Sequence, residues 1–203
     1  MPAVPTPIEF YFDFSSPYGY IAAERIDAIA AAQGREVLWR PILLGVVFKT
    51  TGMQALPGIP LKGQYAQRDF LRSARLYNLP FTQPEAFPVS TVAATRAYYW
   101  LESRDVKKAR DLALAIYRTY FARGVDISAP DTIAALGTEL GLAPADLLAG
   151  LNEQAVKDRT RIEVEKAMAR GVFGSPYIIV DGEPFWGADR LDQVERWLAT
   201  GGW

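Results

Sequence analysis

The chain has 203 residues, half of them apolar, a net charge of −1, and neither cysteine nor histidine. Those two absences exclude disulfides, thiol redox chemistry carried by the chain, cysteine nucleophiles, zinc sites built from His or Cys, and any Ser-His-Asp triad. Lys and Arg are scattered, so there is no electrostatic footprint for nucleic acid. No apolar run of roughly 18 residues or more offers a membrane span. Residues 1–7 carry no basic and apolar signal-peptide pattern, so a cytoplasmic protein is expected, with one domain or one domain carrying an insertion.

An apolar run over residues 8–14 reads as a short buried strand. Ser15, Ser16 and Pro17 break it, and an Ala- and Ile-rich helical pattern follows over 17–33, with Gly34 placed to stop it. Pro17 suits a first helical turn, where its missing N–H would have no partner. A strand that turns directly into a helix aims free N–H groups and the positive end of the helix dipole at one point, where Ser16 sits. Ser16 therefore reads in two ways, as a plain N-cap, the commoner role, or as a hydroxyl facing a bound anion or thiolate. Residues 36–44 read as a second strand, irregular or near an edge around Pro41. Together these make a right-handed βαβ unit.

Residues 45–63 hold Gly52, Pro57, Gly58, Pro60 and Gly63 and read as a loop. Helical patterns then cover 65–77, 90–102 and 106–122. The spacing of Ser128 and Asp131 suggests a capping box opening a helix that stops near Gly141. Shorter and longer helices follow over 143–149 and 155–170. Strand grammar returns at 176–180, Asp181-Gly182 forms a two-residue hairpin turn, and 183–186 completes the hairpin. Asp189 is placed to cap a last helix whose inner face carries Leu191, Val194 and Leu198. The order is βαβ, a helical block, then ββα. That is a thioredoxin-like α/β fold, from residues 1–45 and 172–203, with an inserted all-helical domain over 46–171.

Two segments sharpen the reading. Ser16-Pro17-Tyr18-Gly19 stands where thiol oxidoreductases of this fold carry Cys-x-x-Cys, with Ser for the first Cys and Gly for the second. Phe173-Gly174-Ser175-Pro176 precedes the third strand, where this fold is expected to hold a cis proline facing the active-site turn. With the run from Phe10 to Tyr20, Arg40-Pro41, the stretch from Pro60 to Tyr65 and the stretch from Asp181 to Arg190, the chain resembles the DsbA-like family of 2-hydroxychromene-2-carboxylate isomerases and kappa-class glutathione transferases. The resemblance covers nearly the whole length.

The resemblance implies a glutathione-dependent enzyme, with Ser16 stabilising the glutathione thiolate. Free thiols have a pKa near ~8.5, and a drop of about two units corresponds to about 2.7 kcal/mol. It also implies a backbone pairing of Ser175 with the cysteinyl unit beside Pro17, Tyr18 and Pro176, and Lys62 on a glutathione carboxylate. Asp189 would hold the γ-glutamyl ammonium. Ala188 stands where transferase relatives carry Ser, and Met53 where some carry Asn, which removes two polar contacts.

Tyr18, Phe48 and Trp186 are candidates for an aromatic substrate pocket, Tyr20 is a weaker one, and Tyr11 and Phe12 read as core. Arg68-Asp69 reads as an exposed pair outside the site, and no metal ligand set is expected. The implied activity is isomerisation between hydroxychromene carboxylates and hydroxybenzylidene-pyruvates in aromatic degradation, by a homodimer. The alternatives are a kappa-type transferase or peroxidase, and a non-catalytic DsbA-like binding module.

Overall fold

The computed structural model describes residues 6–203. Its strands are β1 (Ile8–Phe12), β2 (Val37–Pro41), β3 (Tyr177–Val180) and β4 (Glu183–Trp186). They form one sheet in the order β2-β1-β3-β4, with β1 parallel to β2 and antiparallel to β3. Phe10 sits between Trp39 and Ile178, and Tyr11 between Arg40 and Tyr177. β2 is an edge strand, which is why Pro41, with no N–H to give, is tolerated at its end. The mixed four-stranded sheet and the chain order around it are those of a DsbA-like thioredoxin fold.

The period-2 alternation of β1 divides the interior in two. Ile8, Phe10 and Phe12 face one side with Trp39, Ile178 and Val180, and there they join Tyr98, Ile116, Tyr117 and Phe121 from the helical block. Tyr11 and Ile179 face the other side, where Val47, Val164 and Ala167 cover them. Sheet and helical block therefore share one core. Phe12 is the clearest link, since its ring meets Phe10, Phe14, Trp39, Tyr98 and Tyr117 at centroid separations of 4.9–6.3 Å.

The helix expected over 17–33 is two helices, α1 (Pro17–Ala23) and α2 (Ile26–Ala32). The break at Glu24 and Arg25 lets Ile21 face Ala74 and Ala188 while Ile26 and Ile29 turn to the main core. The expected loop over 45–63 is largely helical, with α3 (Leu44–Thr51) followed by a 3-10 turn at Leu56–Gly58. Gly52, read as a loop residue, is the left-handed cap that ends α3, at φ 72°.

Then come α4 (Lys62–Leu76), α5 (Val92–Glu102) and α6 (Val106–Tyr117), the last running into a π turn at Arg118–Ala122. α7 (Pro130–Glu139) starts from Ala129 with no side-chain cap. The capping box does not form: Ser128 lies one residue too early, and its N–H donates to Asp126 Oδ1 at 2.7 Å. α8 (Pro144–Gly150) and α9 (Gln154–Ala169) complete the block. After the hairpin, a 3-10 turn at Ala188–Arg190 leads into α10 (Leu191–Thr200). Asp189 sits inside that turn and does not cap α10, whose N-cap is Arg190 without a side-chain bond. Two X-Pro bonds are cis, the expected Ser175-Pro176 and also Phe87-Pro88.

Truncating Phe12 to Ala should cost about 3–5 kcal/mol, the usual range for a buried phenylalanine. Because its ring touches both parts of the shared core, urea unfolding followed by near-UV and far-UV circular dichroism should still show one coincident transition. Two separated transitions would contradict the shared core.

Candidate active site

The site is assembled where the end of β1 meets the start of β3, residues about 160 apart in the chain. Ser16 is the N-cap of α1, and its Oγ accepts the Gly19 N–H at 3.0 Å. The same hydroxyl donates to the Ser175 carbonyl at 2.9 Å, immediately before the cis Pro176. Ser175 Oγ in turn accepts the Asp13 N–H at 2.9 Å. Ser16 is thus a helix cap and a link to the proline segment at once. Pro17, at the first position of α1, and Pro176 are both buried beside it.

Gly19 has no room for a side chain. A Cβ there would lie 2.5 Å from the Tyr117 hydroxyl and 2.9 Å from Ser175 Oγ. Gly174 is constrained in the same way, because a Cβ would lie 2.2 Å from Trp186 Nε1. The Trp186 indole therefore lies directly over the backbone that leads into Ser175-Pro176, with its ring centroid 4.8 Å from that of Phe173 and half its surface exposed.

Tyr18, half-buried on α1, packs edge-on to Phe70 at 5.1 Å and donates its hydroxyl to Asp69 Oδ2 at 2.5 Å. Asp69 also holds Arg72 and Ser73. Asp69 is therefore joined to the residue two places from Ser16, and the reading of Arg68-Asp69 as a pair outside the site is corrected for Asp69. The missed partner lies 51 residues away in sequence, and no local pattern announces it. Burial pushes the Tyr18 phenol upward and the Asp69 hydrogen bond adds to this, so the phenol stays protonated. Burial also works to raise the Asp69 carboxyl, but the bonds from Tyr18, Arg72 and Ser73 outweigh it and hold the group below its ordinary value.

Lys62 opens α4, exposed to solvent, seven residues before Asp69 on the same helix. At 1.5 Å of rise per residue, the two are roughly 10 Å apart along the axis. Asp189 is largely exposed and pairs with Arg190 at 2.9 Å. Ala188 is buried against Ile21 and Ala74, so its methyl group belongs to the core. Phe48 is half-buried on α3, Met53 is exposed just after it, and Tyr20, Tyr11 and Phe12 are core residues. The structure brings Ser16, Pro17, Tyr18, Ser175, Pro176 and Trp186 together; Lys62, Phe48 and Asp189 lie on the surrounding elements.

Sequence reasoning also missed Asp13. It is buried, its Oδ1 accepts the Ser15 N–H at 2.8 Å and its Oδ2 the Leu44 N–H at 2.7 Å. Its carbonyl accepts the Ser16 N–H and the Tyr117 hydroxyl, each at 2.9 Å. The signal available was an acidic residue inside an otherwise apolar strand end. Elsewhere, a hollow of about 410 Å³ behind the sheet is lined by Glu9, Tyr11, Arg40, Arg159, Glu163 and Lys166, among others. Its charges pair with one another and with Glu102, fastening α9 to β2 and α5 away from Ser16.

Residues 7–199 match the profile of the DSBA-like thioredoxin domain. The chain belongs to that family. Within it, the chain is 28% identical to glutathione S-transferase kappa 2 of Caenorhabditis elegans over 205 residues, covering 95% of this chain and 91% of that one. It is also 28% identical to the 2-hydroxychromene-2-carboxylate isomerase of Sphingobium xenophagum over 197 residues, covering 94% and 97%. A solved structure of a 2-hydroxychromene-2-carboxylate isomerase superposes with a TM-score of 0.84 at 26% identity, over 96% of this chain and 95% of that one. These relatives are enzymes, isomerases and transferases, and the matches span nearly the whole of each chain.

Replacing Tyr18 with Phe removes a charge-assisted donor from Asp69 and should lower stability at pH 7 by about 1.5–3 kcal/mol. Asp69 has a depressed folded-state pKa, so its bonds stabilise the fold above the unfolded carboxylate value and are lost as pH falls through the folded one. The gap between wild type and variant should therefore shrink below the ordinary carboxylate range. Urea unfolding at stepped pH measures it, and a gap independent of pH would contradict the assignment.

Proposed function

We propose that the protein is a glutathione-dependent cis–trans isomerase of the 2-hydroxychromene-2-carboxylate type. The observation that carries this reading is the Ser16 hydroxyl. It is fixed between the Gly19 N–H and the Ser175 carbonyl at a cis proline, in a chain without any thiol of its own. A site with this geometry and no cysteine is suited to holding a thiol supplied from outside. Lys62, exposed at the start of α4, is a cation available to a glutathione carboxylate. Support also comes from the isomerase and transferase relatives and from the isomerase structure with the same fold.

In this reading Gly19 keeps Ser16 Oγ in place while the O–H turns from the Ser175 carbonyl toward sulfur. The hydroxyl has one proton, so the two acceptors compete for it. The Ser175 carbonyl, released, can accept a backbone N–H of the cysteinyl unit in strand fashion. Asp189 exchanges its exposed Arg190 partner for the γ-glutamyl ammonium, which costs little because surface ion pairs are weak. Lys62 meets a carboxylate at the far end. What bound glutathione supplies is a thiolate able to add reversibly to a conjugated double bond, allowing rotation before its departure. Trp186 and the ring of Tyr18 bound the space beside Ser16 where a flat aromatic substrate would stack. We further propose a cytoplasmic homodimer.

The kappa-class relative at equal identity favours a second reading, transfer of the thiolate to an electrophile without its return. Calorimetry with glutathione at neutral pH, combined with ultraviolet thiolate absorbance, tests what the two share. Wild type and Ser16→Ala should both bind, with the thiolate signal lost only in the variant. Hydroxybenzylidene-pyruvate turnover without glutathione consumption selects the isomerase; consumption selects the transferase. No binding at millimolar glutathione would sink both and leave a groove-binding module.

A further inference from the structure

Asp13 is the buried acid that the scheme above leaves unused, and it stands directly behind Ser16. Its carboxylate accepts two backbone N–H groups, from Ser15 at 2.8 Å and Leu44 at 2.7 Å. An ionised carboxylate is an acceptor on both oxygens and satisfies that arrangement fully. No cation pairs with it among the described residues. Leu44 is the first residue of α3, and the preceding Leu43 offers no side-chain cap. Asp13 thus supplies that cap from 31 residues away while also holding the turn that carries Ser16.

The surrounding titratable groups leave this charge uncompensated. From α6 and the turn after it come Tyr117, whose hydroxyl meets the Asp13 carbonyl, and Tyr120. Burial keeps both phenols protonated, Tyr117 well above the usual value and Tyr120 at about 12, with the Asp13 charge contributing to each. On α1 stands Tyr18, bonded to Asp69 of α4, and the exposed charges of the neighbouring elements are the Asp189–Arg190 pair before α10 and Lys62 at the start of α4. Burial pushes Asp13 itself upward, and the Ser15 and Leu44 N–H groups oppose this by favouring its charged form.

We propose that Asp13 tunes the thiol held at Ser16, its negative charge opposing the pull of Ser16 and the α1 N–H groups so that the thiolate is not over-stabilised. This rests on the glutathione reading. A thiolate that must add and then leave gains from such a limit, because intrinsic nucleophilicity falls as thiol pKa falls. Asp13 is in this sense a positioning and tuning residue and touches no reacting atom.

The test is the pH dependence of the thiolate absorbance of bound glutathione in wild type and Asp13→Asn. The midpoint should fall by about one unit in the variant, the size expected for removing a nearby like charge. A midpoint that stays or rises would overturn the proposal, whatever happens to thermal stability. Asn presents an NH2 group to one of two amide donors, so the variant is expected to be less stable and its folding needs checking by circular dichroism.

Should it not fold, Asp13→Ser removes the same charge while its hydroxyl can still accept one of the two amide N–H groups. The thiolate midpoint should fall in that variant as well. A midpoint that stays or rises there would overturn the proposal. Absence of any glutathione binding in the wild type would remove the glutathione reading and this inference with it, whereas binding without a shift removes this inference alone.

Discussion

The hydrogen bond from Ser16 Oγ to the Ser175 carbonyl closes the molecule on itself, and much else in the structure serves to hold its two ends in place. The antiparallel pairing of β1 with β3 brings the residues into range. The cis bond at Pro176 turns the carbonyl before it toward the α1 turn. Asp13 then locks the geometry from behind, through its N–H to Ser175 and its carbonyl from Ser16. These three hydrogen bonds fix the geometry around the Ser16 hydroxyl.

Helix packing extends this rigidity outward. Tyr117 reaches from α6 to the Asp13 carbonyl, so the helical block takes part in the site as well as in the core. Tyr18 bonds to Asp69 and ties α1 to α4, whose first residue is Lys62. The position of α4 is thereby coupled to that of the turn carrying Ser16. Asp13 does the same for α3 through the Leu44 N–H.

What was legible in the sequence was what local chemistry decides. The apolar run of β1, the break at Ser15 and Ser16, the first-turn proline and the Asp181-Gly182 hairpin each rest on neighbouring residues. So does the placing of Pro41 on an edge. What was not legible depends on partners far along the chain. α3 looked like a loop because its cap comes from Asp13 and because Gly52, which ends it, is also a loop residue by composition. Asp69 looked like a surface charge because Tyr18 is 51 residues away. The cis state of Pro176 and the roles given to Lys62 and Asp189 came from likeness to a family. The helix break at Glu24 and Arg25 follows from packing Ile21 and Ile26 against different neighbours.

The tight fit around Gly19 has a consequence for the history such a site can have. The position that pairs with Ser16 in a Cys-x-x-Cys arrangement is sealed by the Tyr117 hydroxyl and Ser175 Oγ. Restoring two cysteines by point mutation would therefore place the second sulfur inside a hydrogen-bonded wall, and the wall would have to be rebuilt first. The exclusion of a second sulfur is built into the packing of Tyr117 and Ser175 against the α1 turn as well as into the residue at position 19. A side chain at position 19 would demand coordinated change at Tyr117 and Ser175, which lie far apart in the chain, so the packing itself holds the position to glycine.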